Sequence, residues 1–242
     1  MKRGVTIYGL QRSGTNYLAK LIEINFDIFV KNHHLIVDGE TLYDSDEEGV
    51  MWKHSMHIID AFDSVSPCLI VYKNPYLWIE SICFRHRADF DIDRNPYASG
   101  DGPDYLLAGP GTAIREVKED PYNDNPKLNV VMLAQAYLDW HRTWTDSPPS
   151  NSYVVKYEDM LIEETRNQHL RNIASKFNLR DIVSTYNNYI SFVPENIVFT
   201  EDRYKYYEDQ RPLYLTNEQI EAINNVLGRE RIERWGFEVV GE

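Results

Sequence analysis

Short apolar runs alternate with stretches of helical periodicity along this chain, and no other feature narrows the fold so far. The runs at residues 5–8, 50–53, 68–72 and 153–157 read as strands, and most are followed by a helical pattern. Strands joined through helices pair in parallel, because the crossover returns the chain to the same end of the sheet. The expected architecture is α/β, a three-layer sandwich with a central parallel sheet, folded as a single domain over residues 1–242. From Gly14 the apolar residues Tyr17, Leu18, Leu21 and Ile22 recur at helical spacing, which gives the first helix one stripe to lay on the sheet. Asn74 followed by Pro75 opens a second helix to about Phe84, with asparagine as N-cap and proline at the first helical position. Further helical patterns cover 130–144, 166–177 and 218–227, the last entered through the capping-box sequence Thr216-Asn217-Glu218-Gln219. Between about residues 88 and 127, Asp, Gly, Pro, Asn and Tyr follow one another without periodicity. A segment of that length inside a domain reads as a lid or acceptor-binding insertion, or as a disordered acidic one.

Hydrophobic residues make up 43% and aromatic residues 13% of the chain, enough for a core that needs neither disulfide nor metal. A net charge of −13 argues against general nucleic-acid binding, which depends on Lys and Arg neutralising phosphates. Any anionic ligand must then be held by a local cationic site. Every hydrophobic run is cut by charge, Pro or Gly short of the roughly 18–20 residues of a membrane span. The start MKRGVTIYGLQRSG lacks a signal-peptide pattern, so a soluble, cytoplasmic protein is expected. Cys68 and Cys83, with no CxxC or histidine spacing around them, read as buried small hydrophobes.

The stretch VTIYGLQRSGTNYL is a strand, a glycine-bounded loop and a helix start. Gly9 and Gly14 stand where the two glycines of a G-x-x-x-x-G-K-[ST] phosphate loop stand, and loop amides with a helix N-terminus make an anion cradle. Thr15 occupies the lysine position, which argues against hydrolysis of a nucleoside triphosphate, while Arg12 supplies cationic charge within the loop.

Arg12-Ser13-Gly14-Thr15-Asn16-Tyr17 resembles the [KR]-S-G-T-x-[WYL] loop of the sulfotransferases that use 3′-phosphoadenosine 5′-phosphosulfate (PAPS). The resemblance implies a P-loop nucleotide-kinase-like sulfotransferase fold. It implies that Ser13, Gly14, Thr15 and Asn16 hold the 5′-phosphate and that Arg12 meets the bridging and sulfuryl oxygens. Tyr17 then faces the adenine or joins the core stripe. A basic residue ending a later strand and a serine eight positions on grip the 3′-phosphate in that family; CLIVYKNPYLWIES offers Lys73 and Ser81, with lysine where arginine is commoner. Tyr153-Val154-Val155-Lys156-Tyr157-Glu158-Asp159-Met160 is similar to the family's strand ending in [RK]-Y-E-D-[LM], which puts Tyr157 in the adenine pocket; Glu158 and Asp159 read as residues that organise the turn and not as chemical groups. The tail departs from the cytosolic branch, having no R-K-G-x-x-G-x-W-K segment; Arg203, Lys205 and Arg211 are the candidate cations there.

In-line sulfuryl transfer to a hydroxyl or amine needs a base and positive charge at the leaving phosphate. Met51-Trp52-Lys53-His54-Ser55-Met56-His57 resembles the family's base-bearing strand, so His54 is the expected base and Lys53 a cation near the sulfuryl group. Adjacent strand residues leave on opposite faces, which keeps His57 as an alternative base. His33 and His34 read as surface or substrate-loop residues. Arg12 cannot readily give up a proton, so its role is electrostatic. The scheme requires no metal. Tyr97, Tyr105, Tyr122 and Trp144 either pack or stack on an acceptor, for which a neutral carbohydrate or small hydroxylated metabolite is preferred. Two other functions stay open: a P-loop phosphotransferase acting on a nucleotide or sugar, and a non-catalytic nucleotide-binding protein.

Overall fold

A computed structural model describes residues 3–10, 12–32, 35–37, 40–42, 66–83, 130–188, 213 and 215–241. These fall into two compact units, one drawn from residues 1–73 and 147–212, the other from 74–146 and 213–242.

The first unit is built on a parallel sheet. Its strands are β1 (Arg3–Tyr8), β2 (Ile28–Val30), β5 (Cys68–Tyr72) and β6 (Ser152–Lys156), in the order β2-β1-β5-β6. All three pairings are parallel, with Val5 opposite Val30, Ile7 opposite Leu69 and Ile70 opposite Val154. A separate antiparallel pair joins β3 (Leu35–Val37) and β4 (Glu40–Leu42). The two inner strands carry the near-continuous apolar runs expected of strands covered on both faces: Val5, Thr6, Ile7 and Tyr8 are buried, as are Cys68 through Val71. Helix α1 (Thr15–Asn25) lays the predicted Tyr17, Leu18, Leu21 and Ile22 into the same core. The short helix α4 (Tyr157–Leu161) and the longer α5 (Glu163–Phe177) add Met160, Leu170, Ile173 and Phe177. Beyond β2, Asn32 extends the ladder with its side chain: its amide donates to the Ile7 carbonyl at 2.8 Å and its carbonyl oxygen accepts from the Ile7 N–H at 2.9 Å.

The second unit is helical among its described residues. It comprises α2 (Pro75–Cys83), α3 (Val130–Trp144), α6 (Asn217–Leu227) and α7 (Arg229–Arg234). Both predicted N-caps form. The Asn74 side chain accepts from the Tyr76 and Leu77 amides, and Thr216 with Gln219 closes a reciprocal capping box. The core is aromatic: Tyr137 lies against Trp78, His141 and Trp235, and Trp140 stacks on Trp144. Trp144 is fully buried, so of the two roles expected for it packing is the one the structure supports.

The predicted strand at 50–53, the insertion at 88–127, and Tyr97, Tyr105 and Tyr122 lie outside the described residues. Among the described residues no helix is long and apolar enough to cross a membrane. Cys68 is a buried free thiol, pushed up to about 12 by burial against a small opposing pull from the Thr6 hydroxyl, so it is neutral at physiological pH and packs as a small hydrophobe.

His141 is an ionisable group enclosed by rings. Thr145 donates its hydroxyl proton to the His141 carbonyl at 3.0 Å, so at 2.8 Å the His141 Nδ1 must be the donor to Thr145 Oγ1. Burial holds the imidazole well below its ordinary 6.5. An unfolded chain binds a proton that this folded imidazole refuses, so its contribution to stability is complete above about pH 6.5 and is lost as the pH falls below that value. The unfolding midpoint of the wild type should therefore fall from pH 7 towards pH 5 more steeply than that of His141→Phe. Parallel pH dependences in urea titrations of the two proteins would show that His141 is not the group responsible.

Candidate functional site

The strand order reverses between β1 and β5. The chain leaving β1 crosses to β2 on one side, while β5 pairs on the other. Ligands of open parallel sheets bind outside the carboxyl ends of strands at such a reversal. Here those ends carry the loop between β1 and α1, Lys73 after β5 and Tyr157 after β6.

The loop is held by close approach. A Cβ on Gly9 would stand 2.5 Å from Ser13 Oγ and 2.6 Å from the Val71 carbonyl oxygen, so only glycine lets the loop cross β5 here. Leu10 accepts from the Ser13 amide at 3.0 Å, closing a turn whose third residue, Arg12, has φ 71°. That left-handed position in a type II-like turn ordinarily goes to glycine or asparagine. Gly14 is left-handed as well, with φ 94° and ψ 17°, and forms the N-cap of α1 without any side-chain cap; no acidic residue lies in the first turn. Left-handed residues alternating along a short loop turn successive amides towards one side, the arrangement of an anion-binding nest. The partial positive charge of the helix start adds to it.

Tyr157 sits on this loop. A Cβ at Gly14 would overlap its ring. Tyr17 meets the same ring edge-on with centroids 5.9 Å apart, and Lys73 Nζ lies 5.9 Å from its centroid. Lys73 is itself buried, at 4% exposure, which puts its charge beside the loop rather than in bulk water. Next to it, Tyr72 is pushed up to about 12 by burial and then by Asp159 and Glu158, so its phenol keeps its proton at neutral pH.

The candidate residues thus divide. Gly14, Tyr17, Lys73 and Tyr157 are brought together, with Arg12 exposed on the loop, Thr15 buried at the start of α1 and Asn16 exposed beside it in the same helix. Ser13 is buried and turned inwards: both its amide and its hydroxyl donate to the Leu10 carbonyl, the latter at 2.5 Å, so it closes the turn instead of offering a donor outwards. Tyr17 is a core residue whose hydroxyl lies 3.0 Å from the Met160 carbonyl and 2.8 Å from Asn188 Oδ1. Ser81 belongs to the second unit and donates its hydroxyl to the Leu77 carbonyl one turn back, at 2.6 Å. Lys53, His54, His57, His33, His34, Arg203, Lys205 and Arg211 lie outside the described residues.

Asp159 does organise the turn after β6. Burial alone would raise its pKa, but the His169 hydrogen bond and Lys156 outweigh burial and hold it below the ordinary carboxylate value. Lys156 Nζ lies 3.3 Å from Asp159 Oδ1 and His169 Nε2 3.5 Å from Asp159 Oδ2. Neither His169 nor Tyr72 stands in a motif that marks a site, and only the packing of β5, β6 and α5 reveals their neighbours. Compared with protein families, curated proteins and solved structures, the chain matches none.

Gly14→Ala should cost about 2–4 kcal/mol in urea denaturation, combining the left-handed backbone penalty with overpacking against Tyr157. A loss under about 0.5 kcal/mol, the range of an ordinary surface substitution, would mean that the ring and the loop are not in contact.

Proposed function

We propose that the chain is a PAPS-dependent sulfotransferase of the P-loop nucleotide-kinase-like fold, acting on a hydroxyl or amine of a carbohydrate or small metabolite. The observation that carries this reading is the glycine-bounded loop at the strand-order reversal, with Thr15 in the place of the lysine that a triphosphate-binding loop requires and with Lys73 supplied from the neighbouring strand end. One phosphate would rest on the amides at Gly14, Thr15 and Asn16, and Lys73 would meet the second. In the proposed step, an acceptor oxygen or nitrogen attacks sulfur in line, the bond from sulfur to the 5′-phosphate oxygen breaks, and 3′-phosphoadenosine 5′-phosphate (PAP) leaves. His54 takes the acceptor proton. Arg12 and Lys53 stabilise charge on the departing phosphate and the sulfuryl oxygens.

Thermal unfolding in the presence of PAP, AMP, or ATP with Mg²⁺ tests the reading. A nucleotide at about 100 times its dissociation constant adds roughly 2.7 kcal/mol, which is plainly visible as a raised midpoint. PAP should stabilise well beyond AMP. Stabilisation led by ATP with Mg²⁺ would favour a phosphotransferase, and equal effects of AMP and PAP would remove the second phosphate site. Lys73→Met keeps the packing volume and loses the charge; it should cut PAP affinity about tenfold or more, the size of a lost charged hydrogen bond, while leaving AMP binding nearly unchanged. Calorimetric titration reads both.

A further inference from the structure

A hydrogen-bond relay in the first unit ends on the turn that carries Tyr157. The Asn172 side-chain amide lies 3.3 Å from the Tyr153 hydroxyl oxygen and donates to it. The Tyr153 hydroxyl is in turn in hydrogen-bond contact with His169 Nδ1, 2.8 Å away. His169 Nε2 faces Asp159 Oδ2 at 3.5 Å, and because a carboxylate only accepts, Nε2 is the donor of that pair. Lys156 Nζ takes the other carboxylate oxygen, at 3.3 Å. The contacts thus run from Asn172 on α5 to Tyr153 on β6, back to His169 on α5 and on to Asp159 in α4. Thr165 reinforces the last link by donating to the Asp159 carbonyl at 2.5 Å.

Asp159 is two residues from Tyr157, inside a helix of only five residues. Such a helix has almost no stability of its own and takes its position from its neighbours. We infer that the Asn172–Tyr153–His169–Asp159 relay sets the position of Tyr157 over Gly14, making His169 a positioning residue for the phosphate loop. Asp159 acts as a carboxylate held from both sides, much as outer partners orient the groups that touch a ligand. The consequence for nucleotide affinity rests on the function proposed above; the consequence for the loop does not.

Hydrogen exchange followed by mass spectrometry separates the two. In His169→Leu, amides of residues 12–17 and 157–161 should exchange about tenfold faster than in wild type, the factor equivalent to about 1.4 kcal/mol, while the 217–227 helix is unchanged. His169→Gln keeps a donor for Asp159 and should return the loop to within about twofold of wild type, a rescue that a purely volumetric role for His169 would not produce. If His169→Leu fails to fold, Tyr153→Phe removes the hydroxyl that holds His169 Nδ1 and should speed the same peptides. Unchanged loop exchange in a folded variant, with faster exchange confined to 163–177, would overturn the relay. PAP titration of the same proteins should show affinity tracking loop exchange. A wild type that binds no PAP would sink the nucleotide reading and leave the exchange result to decide the relay by itself.

Discussion

The absence of a Cβ at two positions governs this site. Gly9 lets the loop after β1 pass against the Val71 carbonyl, and Gly14 lets it turn beneath the Tyr157 ring. A methyl group at either place would push the loop off the neighbouring strand ends, and the amides at the start of α1 would no longer share a location with Lys73. Close packing makes such contacts nearly incompressible, so the glycines fix position as well as backbone angle. The remaining features follow from that closure: Ser13 is drawn inwards to finish the turn, and Arg12 is forced into a left-handed conformation on the outside.

Charge explains the rest of the local design. A chain of net charge −13 repels anions at long range, so an anion site has to be made from nearby donors. Two sources lie close together here: backbone amides at an uncapped helix start, and a lysine ammonium sheltered by an aromatic ring. Burial reduces the screening that water gives to Lys73 and keeps the adjacent Tyr72 phenol protonated. Of the acidic residues close by, Asp159 is engaged by Lys156 and His169.

Much of this was legible in the sequence. Strands β1 and β5 and helices α1 and α3 are marked by continuous apolar runs or a clear helical stripe, and each forms where expected. Proline and capping signals located the starts of α2 and α6 because capping is a local interaction. The boundary after β6 was one residue off at each end: Tyr157 continues the apolar pattern of the strand but begins a helix, and only tertiary contact decides between the two. Strand β2 carries no readable pattern because it has only three residues, separated by two residues from the helix before it, and α7 none because only Ile232 is buried in a run of charges. The contact of Tyr157 with Gly14 joins residues far apart in sequence, and nothing local signals it. The same holds for His169, whose helix presents an ordinary polar face.

Diffraction from crystals grown with PAP would test the central claim most directly. The account predicts the 5′-phosphate on the amides of Gly14, Thr15 and Asn16, and the 3′-phosphate within hydrogen-bond reach of Lys73 Nζ. A nucleotide bound away from the carboxyl ends of β1 and β5, or held there with its 3′-phosphate directed away from Lys73, would contradict it.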